Sequence, residues 1–285
     1  MLALGTVQFG MPYGITNVNG QVSKTEVVNI LDDARRLGIR TLDTAFEYGS
    51  SEELLGTVGV QDFEVVTKLP AQLPINANPY EWIHNNAVLS RNRVNVSTLT
   101  GLLFHRPEHV GALESKELAN IIQSLRSAKI VEKVGVSVYS PHELDAVLSV
   151  FVPDIVQLPY NAFDQRFRKS GWLDKLDDLG VDVHIRSVFL QGVLLEGIDK
   201  LPNRFQKWSD SFRSWSRACH ECGDNRIAAA LASVKHDAIK RIVVGVQTQQ
   251  QLAEINDAFL QSRSLSVPDV STDDEGLILP GNWSV

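Results

Sequence analysis

The fold class predicted by this sequence is a closed (β/α)8 barrel of the TIM type with an enlarged seventh βα loop. Three observations predict it. Eight short apolar runs rich in β-branched residues recur along the chain, and helix-period segments alternate with them. No G-x-G-x-x-G follows the first run or occurs elsewhere, whereas an open doubly wound sheet that binds a dinucleotide carries one there. At 285 residues, with no linker breaking the alternation, residues 1–285 are read as one barrel domain.

The strand candidates are "LALGT" (2–6), "IRTLD" (39–43), "FEVVTK" (63–68) and "LTGLLFH" (99–105). They continue as "VEKVGVS" (131–137), "PDIVQLP" (153–159), "VDVHIRS" (181–187) and "RIVVGV" (241–246). Each is short and largely apolar, as parallel strands covered on both faces are. Helix starts lie between them. "SKTE" at 23–26 and "SSEE" at 50–53 read as capping boxes, and "NPYE" at 78–81 and "SPHE" at 140–143 add proline at the first helical position. "TQQQ" at 248–251 is a Thr/Gln version of the same device. After the first of these, Val27, Ile30, Leu31, Ala34 and Leu37 share one helical face, and Gly38 ends the helix.

One interval departs from the pattern. Between Ser187 and Arg241 lie two helical segments, "RFQKWSDSFRSWSRACHECG" and "NRIAAALASVKHD", where one would suffice. An enlarged loop at the C-terminal end of a barrel strand is read here as a lid or as an extra packing helix. Cys219 and Cys222 fall in it, and with no second Cys/His pair they are read as reduced thiols rather than a metal site.

A net charge of −7 without a basic run argues against nucleic acid or an anionic membrane as partner. The N-terminus lacks the basic region of a signal peptide, and no apolar run approaches membrane-spanning length, so a cytoplasmic location is expected.

In a barrel of this type, polar residues at the C-terminal strand ends form the site. The second strand delivers Asp43 and then Tyr48, the third ends on Lys68, and the fourth on His105. Alone, each has a bland explanation as a solvated terminus; at consecutive strand ends the barrel forces them together. Such a set suits carbonyl reduction. A phenol could protonate the nascent alkoxide, and a lysine ammonium ~4 Å away would favour its phenolate by about 4 kcal/mol at an effective dielectric near 20. A carboxylate would hold that ammonium, and a neutral histidine would polarise the carbonyl. Asp182, His184 and Arg186 should point into the barrel, with His184 structural.

The segments "LGTVQFG", "GIRTLDTAFEYGSSEELLG", "VVTKL", "LLFHRP", "VGVSVYS", "VQLPYN", "RSVFLQGVLL" and "IVVGVQTQQQLAEI" together resemble the aldo-keto reductase superfamily over nearly the whole chain. The resemblance implies an NAD(P)H-dependent oxidoreductase that reduces an aldehyde, ketone or sugar-like carbonyl, with Tyr48 as acid/base and Asp43, Lys68 and His105 assisting. It implies no metal. Gly5 and Thr6 match the segment lining the nicotinamide, and Ser137 and Gln157 match its carboxamide partners. Arg186 stands where many members place an aromatic that stacks on the ring. Ser187, Leu190 and Gln191 match the loop over the pyrophosphate, and Glu254 matches an adenine contact. Gln247 and Gln251 occupy the segment where members specific for NADPH carry Arg or Lys, which leaves NADPH and NADH evenly matched. Phe9, Tyr13, Phe46, Glu47, Arg106 and Trp172 are candidate pocket residues. A cofactor-binding redox-sensing or regulatory subunit with little turnover is the second function class compatible with the same residues.

Overall fold

The computed structural model describes residues 1–74 and 76–283, and among them eight parallel strands close into a barrel in chain order. The strands are β1 (Leu2–Gly5), β2 (Thr41–Asp43), β3 (Glu64–Lys68), β4 (Leu99–Phe104), β5 (Val131–Ser137), β6 (Ile155–Pro159), β7 (Asp182–Arg186) and β8 (Ile239–Gly245). β1 pairs with both β2 and β8, which leaves no open edge. All eight lie where the sequence pattern puts them. His105 and Ser187 fall one residue beyond their strands, and β8 begins two residues early.

The principal helices between them are α1 (Lys24–Arg36), α2 (Ser51–Val58), α3 (Pro79–Val94), α4 (Ser115–Ser127), α5 (Pro141–Val150), α6 (Trp172–Asp178), α7 (Ser209–Glu221), α8 (Arg226–Ser233) and α9 (Gln249–Ser262). Their starts follow the predicted caps in four cases. Ser23, Asn78 and Thr248 each accept from the third following amide, and Ser140 with Glu143 forms a full capping box. The box predicted at Ser50 does not form. Ser50 makes no side-chain cap, and Glu53 instead meets Arg93 at 2.9 Å. On α1, Val27, Ile30, Leu31 and Ala34 are buried, while Leu37 is partly exposed at the helix end.

Side chains alternate across each strand, so the barrel interior is built in layers. Thr41, Glu64, Arg241, Lys133 and Asp182 form a polar bottom layer, with Arg241 donating to Thr41 and Glu64 and Lys133 to Asp182. Val66, Leu103 and Ile155 pack together above it. His184, two residues along β7 from Asp182, is buried at the same inner face, as expected of a structural histidine. The top layer is polar again and carries the site. Outward residues of the same strands, such as Leu42, Val65, Leu102 and Val183, join the helices in the main core.

The enlarged seventh loop carries α7 and α8, as predicted, and has a core of its own. Phe212, Trp215, Ala218 and Cys219 of α7 pack against Leu190, Val193, Leu194 and Leu201, and the Trp215 indole donates to the Leu194 carbonyl at 2.7 Å. Both cysteines are free thiols. No helix among the described residues is long and apolar enough to cross a membrane.

Candidate active site

At the C-terminal mouth of the barrel lies a cavity of about 490 Å³. Asp43, Tyr48, Lys68 and His105 all line it, brought together from three adjacent strand ends as the barrel requires. Lys68 is 1% exposed, and its ammonium donates to both oxygens of Asp43 at 2.9 and 2.8 Å and to the Thr44 carbonyl at 2.9 Å. Those bonds use all three of its donors. The Gln157 amide also donates to Asp43, at 2.6 Å. The carboxylate thus holds two neighbours while its own charge is neutralised.

Tyr48 reaches the cavity from the turn after β2. Its amide donates to the Ala45 carbonyl at 3.1 Å, and its carbonyl accepts from Ser51 at 3.0 Å. This turn packs so closely on the chain after β1 that a Cβ at Gly10 would lie 1.7 Å from the Tyr48 carbonyl oxygen. Ser51, the residue after the predicted cap Ser50, is fully buried here. Its hydroxyl donates to Thr6, and Thr6 donates to the Asp43 carbonyl at 3.0 Å, tying the ends of β1 and β2 beneath the site. Only the tertiary structure reveals that role, because the local "SSEE" pattern points to helix capping.

The electrostatics correct one expectation. Lys68 was expected to lower the pKa of Tyr48. Instead, the ammonium lies over the phenol ring, 5.1 Å from its centroid, and is fully engaged by Asp43 and Thr44. Burial, followed by the Asp43 charge, holds the Tyr48 pKa well above its ordinary value, against an opposing pull from Arg186. Burial also lowers the Lys68 pKa, with Asp43 opposing the shift. His105 is held down to about 3, first by burial and then by Lys68 and Arg186, so it is neutral at physiological pH as expected.

Around this centre the cavity is lined by Gly5, Thr6, Ser137, Gln157, Arg186 and Ser187, and farther out by Gln191, Gln247, Gln251 and Glu254. Leu190 is the exception among the predicted cofactor residues: its side chain is fully buried in the core of the seventh loop. Its backbone shares with Ser187, Gln191 and Gly192 a run of positive φ angles that shapes the cavity wall. That run meets the segment after β1, where the Thr16 hydroxyl donates to the Gln191 carbonyl at 3.2 Å and the Gln191 amide to the Tyr13 hydroxyl at 3.3 Å. Gln251 caps α9, accepting from the Gln247 amide at 2.7 Å, while the Gln247 side chain donates to Asn17.

Of the candidate pocket residues, Tyr13 lines the cavity. Phe9 and Trp172 belong to the main core, Phe46 stacks beneath Arg93, and Glu47 accepts from the Ala71 amide. Arg106 lies near Tyr139, a cavity residue that sequence reasoning passed over. Gln8 and Asn17 were likewise missed, although Gln8 lies within the segment "LGTVQFG". Among the described residues no cluster of His, Cys, Asp and Glu could hold a metal ion.

Residues 1–272 match the Aldo/keto reductase family. The chain belongs to that family. Aldo-keto reductases are oxidoreductases that use nicotinamide cofactors on small-molecule carbonyl compounds, and that coarse description holds for this chain. The barrel is similar to the solved structure of an aldo-keto reductase from Bacillus halodurans in its holo form, at 16% identity and a TM-score of 0.70, covering 96% of this chain and 94% of the other. It is also similar to a glycerol dehydrogenase from Gluconobacter oxydans, at 22% identity and a TM-score of 0.70, covering 98% and 92% respectively. At such identities the likeness is one of fold. Among curated proteins, none matches the sequence.

Proposed function

We propose that this aldo-keto reductase reduces an aldehyde, ketone or sugar-like carbonyl to the alcohol, with Tyr48 as the proton donor. The observation that carries the reading is the shared cavity in which a phenol, an imidazole and an ammonium locked by a carboxylate converge. A bound nicotinamide supplies the hydride. His105, uncharged, donates a hydrogen bond to the carbonyl oxygen and orients it. Tyr48 then gives its proton to that oxygen as it becomes an alkoxide, which is more basic than a phenolate even when the phenol pKa is raised. Lys68, locked by Asp43, packs over the phenol ring and fixes its position.

The cavity fits the cofactor. The Gln157 carbonyl oxygen is buried without a hydrogen-bond partner while its amide is spent on Asp43, so it is free to accept from a carboxamide NH2. Ser137 stands beside it, paired in register with Gln157. Gly5 and Thr6 would form the floor under the ring, and the Ser187–Gly192 backbone would face the pyrophosphate. At the adenosine end, Gln247 and Gln251 are committed to internal hydrogen bonds and Glu254 brings a carboxylate. Lys68 and Arg186 are the only Lys or Arg lining the cavity among the described residues, and both stand at the reacting end. A 2′-phosphate held there would have no lining Lys or Arg to pair with and would stand near the Glu254 carboxylate, which supports NADH over NADPH.

Two measurements test the reading. Tyr48→Phe is expected to lower carbonyl reduction about 100- to 10,000-fold with NADH affinity unchanged; a wild-type rate in that variant would overturn the assignment. Titration with both nucleotides is expected to give tighter binding of NADH, and equal or tighter NADPH binding would overturn the cofactor preference.

A further inference from the structure

The reacting end of the cavity holds more positive charge than carbonyl reduction needs. Lys68 is neutralised by Asp43 at 2.8 Å. Arg186, at the end of β7, is not neutralised. It lines the cavity, and among the described residues its guanidinium donates only to uncharged oxygens, the Val138 carbonyl at 3.1 Å and the Ser187 hydroxyl at 3.5 Å. Its guanidinium carbon lies 4.2 Å from the centroid of the Tyr139 ring. Arg106, exposed just beyond His105, brings a second guanidinium to within 5.9 Å of the same ring. Among the described residues neither arginine has an ion-pair partner, so two unpaired cations share one phenol.

The guanidinium of Arg186 is directed toward β5. Strand order places β8, with Gln247 and the adenosine end, on one side of β7. The guanidinium leans the other way, across β6 to Val138 and Tyr139 at the end of β5, next to His105 at the end of β4. Its charge reaches the imidazole of His105, helping to hold its pKa down, and the phenol of Tyr48, where it opposes the larger upward shift from burial and Asp43. It therefore belongs to the space beside the reacting carbonyl. A guanidinium there presents a planar fork of N–H donors, the geometry that recognises a carboxylate or a phosphate by two parallel bonds. Within a concave site, an unneutralised charge also draws such a group in from solution.

We propose that the carbonyl substrate carries an anionic group, a carboxylate or a phosphate ester, held by Arg186, with Arg106 drawing it in at the rim. This deepens the reductase reading and rests on it for the reacting carbonyl. The bound anion would lie over Tyr139 with its charge on the guanidinium, leaving the carbonyl to Tyr48 and His105.

The test is a comparison of matched substrates with NADH as cofactor: succinate semialdehyde against its primary amide, and glyceraldehyde 3-phosphate against glyceraldehyde. The wild type is expected to favour at least one anionic member over its neutral match by about 10- to 100-fold in kcat/KM, the worth of a charge-assisted hydrogen bond. Whichever pair shows it identifies the anion. Arg186→Gln should bring that ratio to near unity, and Arg106→Gln should reduce it less and mainly at low salt. Because the readout is a ratio within one variant, a general loss of activity does not imitate it. Equal rates on charged and neutral members, or a preference that survives Arg186→Gln, would overturn the proposal. A second arm needs no turnover: calorimetric titration of both anionic compounds into NAD⁺-saturated protein, where Arg186→Gln should weaken binding of the preferred one at least about tenfold. If no carbonyl is reduced yet this loss appears, the reductase reading fails and the anion site stands. If the loss is absent, the anion site fails whatever the turnover.

Discussion

Replacing Asp43 by asparagine leaves the Lys68 ammonium buried, 1% exposed, with the Thr44 carbonyl as its remaining firm acceptor. At the 2.8 Å separation seen here, the lost attraction is about 6 kcal/mol at an effective dielectric near 20. Part of it returns, because the lysine can shed its proton and the asparagine oxygen still accepts one bond. Breaking a buried pair by removing one partner typically costs about 3–5 kcal/mol, and that is the expected loss. In a domain of this size it lowers the melting temperature by roughly 10 °C. Urea unfolding at pH 7, followed by tryptophan fluorescence, measures it. The double variant Asp43→Asn/Lys68→Met removes both charges and should be more stable than Asp43→Asn alone. A cost below about 1 kcal/mol for the single variant, or a double variant as unstable as the sum of the two singles, would refute the idea that the carboxylate exists to hold this ammonium.

His184 is held at about 4 by burial, so below its ordinary pKa near 6.5 the unfolded chain takes up a proton that the folded chain refuses. Stability should therefore fall by about 3 kcal/mol as pH drops from 6.5 to 4, with His105 adding to the loss, and His184→Gln should flatten the urea midpoint across that range. Gly10→Ala places a Cβ against the Tyr48 carbonyl oxygen and should cost about 1–3 kcal/mol while displacing the Tyr48 turn; thermal unfolding and carbonyl reduction should fall together. Ser23→Ala removes a real helix cap and should cost about 1 kcal/mol, whereas Ser50→Ala, which removes none, should stay within about 0.5 kcal/mol of wild type; chemical denaturation distinguishes the pair.

The barrel was legible because its signals are local and repeated. Eight apolar runs, four working caps and a missing glycine fingerprint each state the same architecture, and a closed parallel barrel is the arrangement that satisfies them together. The positions of Asp43, Tyr48, Lys68 and His105 were legible for the same reason: once strand ends are known, the fold gathers what stands on them. What the sequence alone determined was therefore the identity and placement of the polar residues at the mouth.

The tertiary structure decided what those residues do to one another. Sequence spacing put a lysine near a tyrosine, but only the closed barrel shows that all three ammonium donors go to Asp43 and Thr44, leaving the phenol governed by burial. Ser50 and Ser51 look interchangeable in "SSEE". Yet Ser51 is the one that faces Thr6, 45 residues away, and a contact of that range has no local signature. Leu190 reads as part of a loop that would cover a cofactor through its backbone, and only the fold shows that its side chain anchors that loop in a second core built from α7. Arg186 reads from the sequence as a strand-end cation, and it is the end of β5 that supplies its partners, the Val138 carbonyl and the Tyr139 ring. In each case the backbone pattern is short-range, whereas charge, burial and hydrogen bonding are set by strands that meet only when the barrel closes.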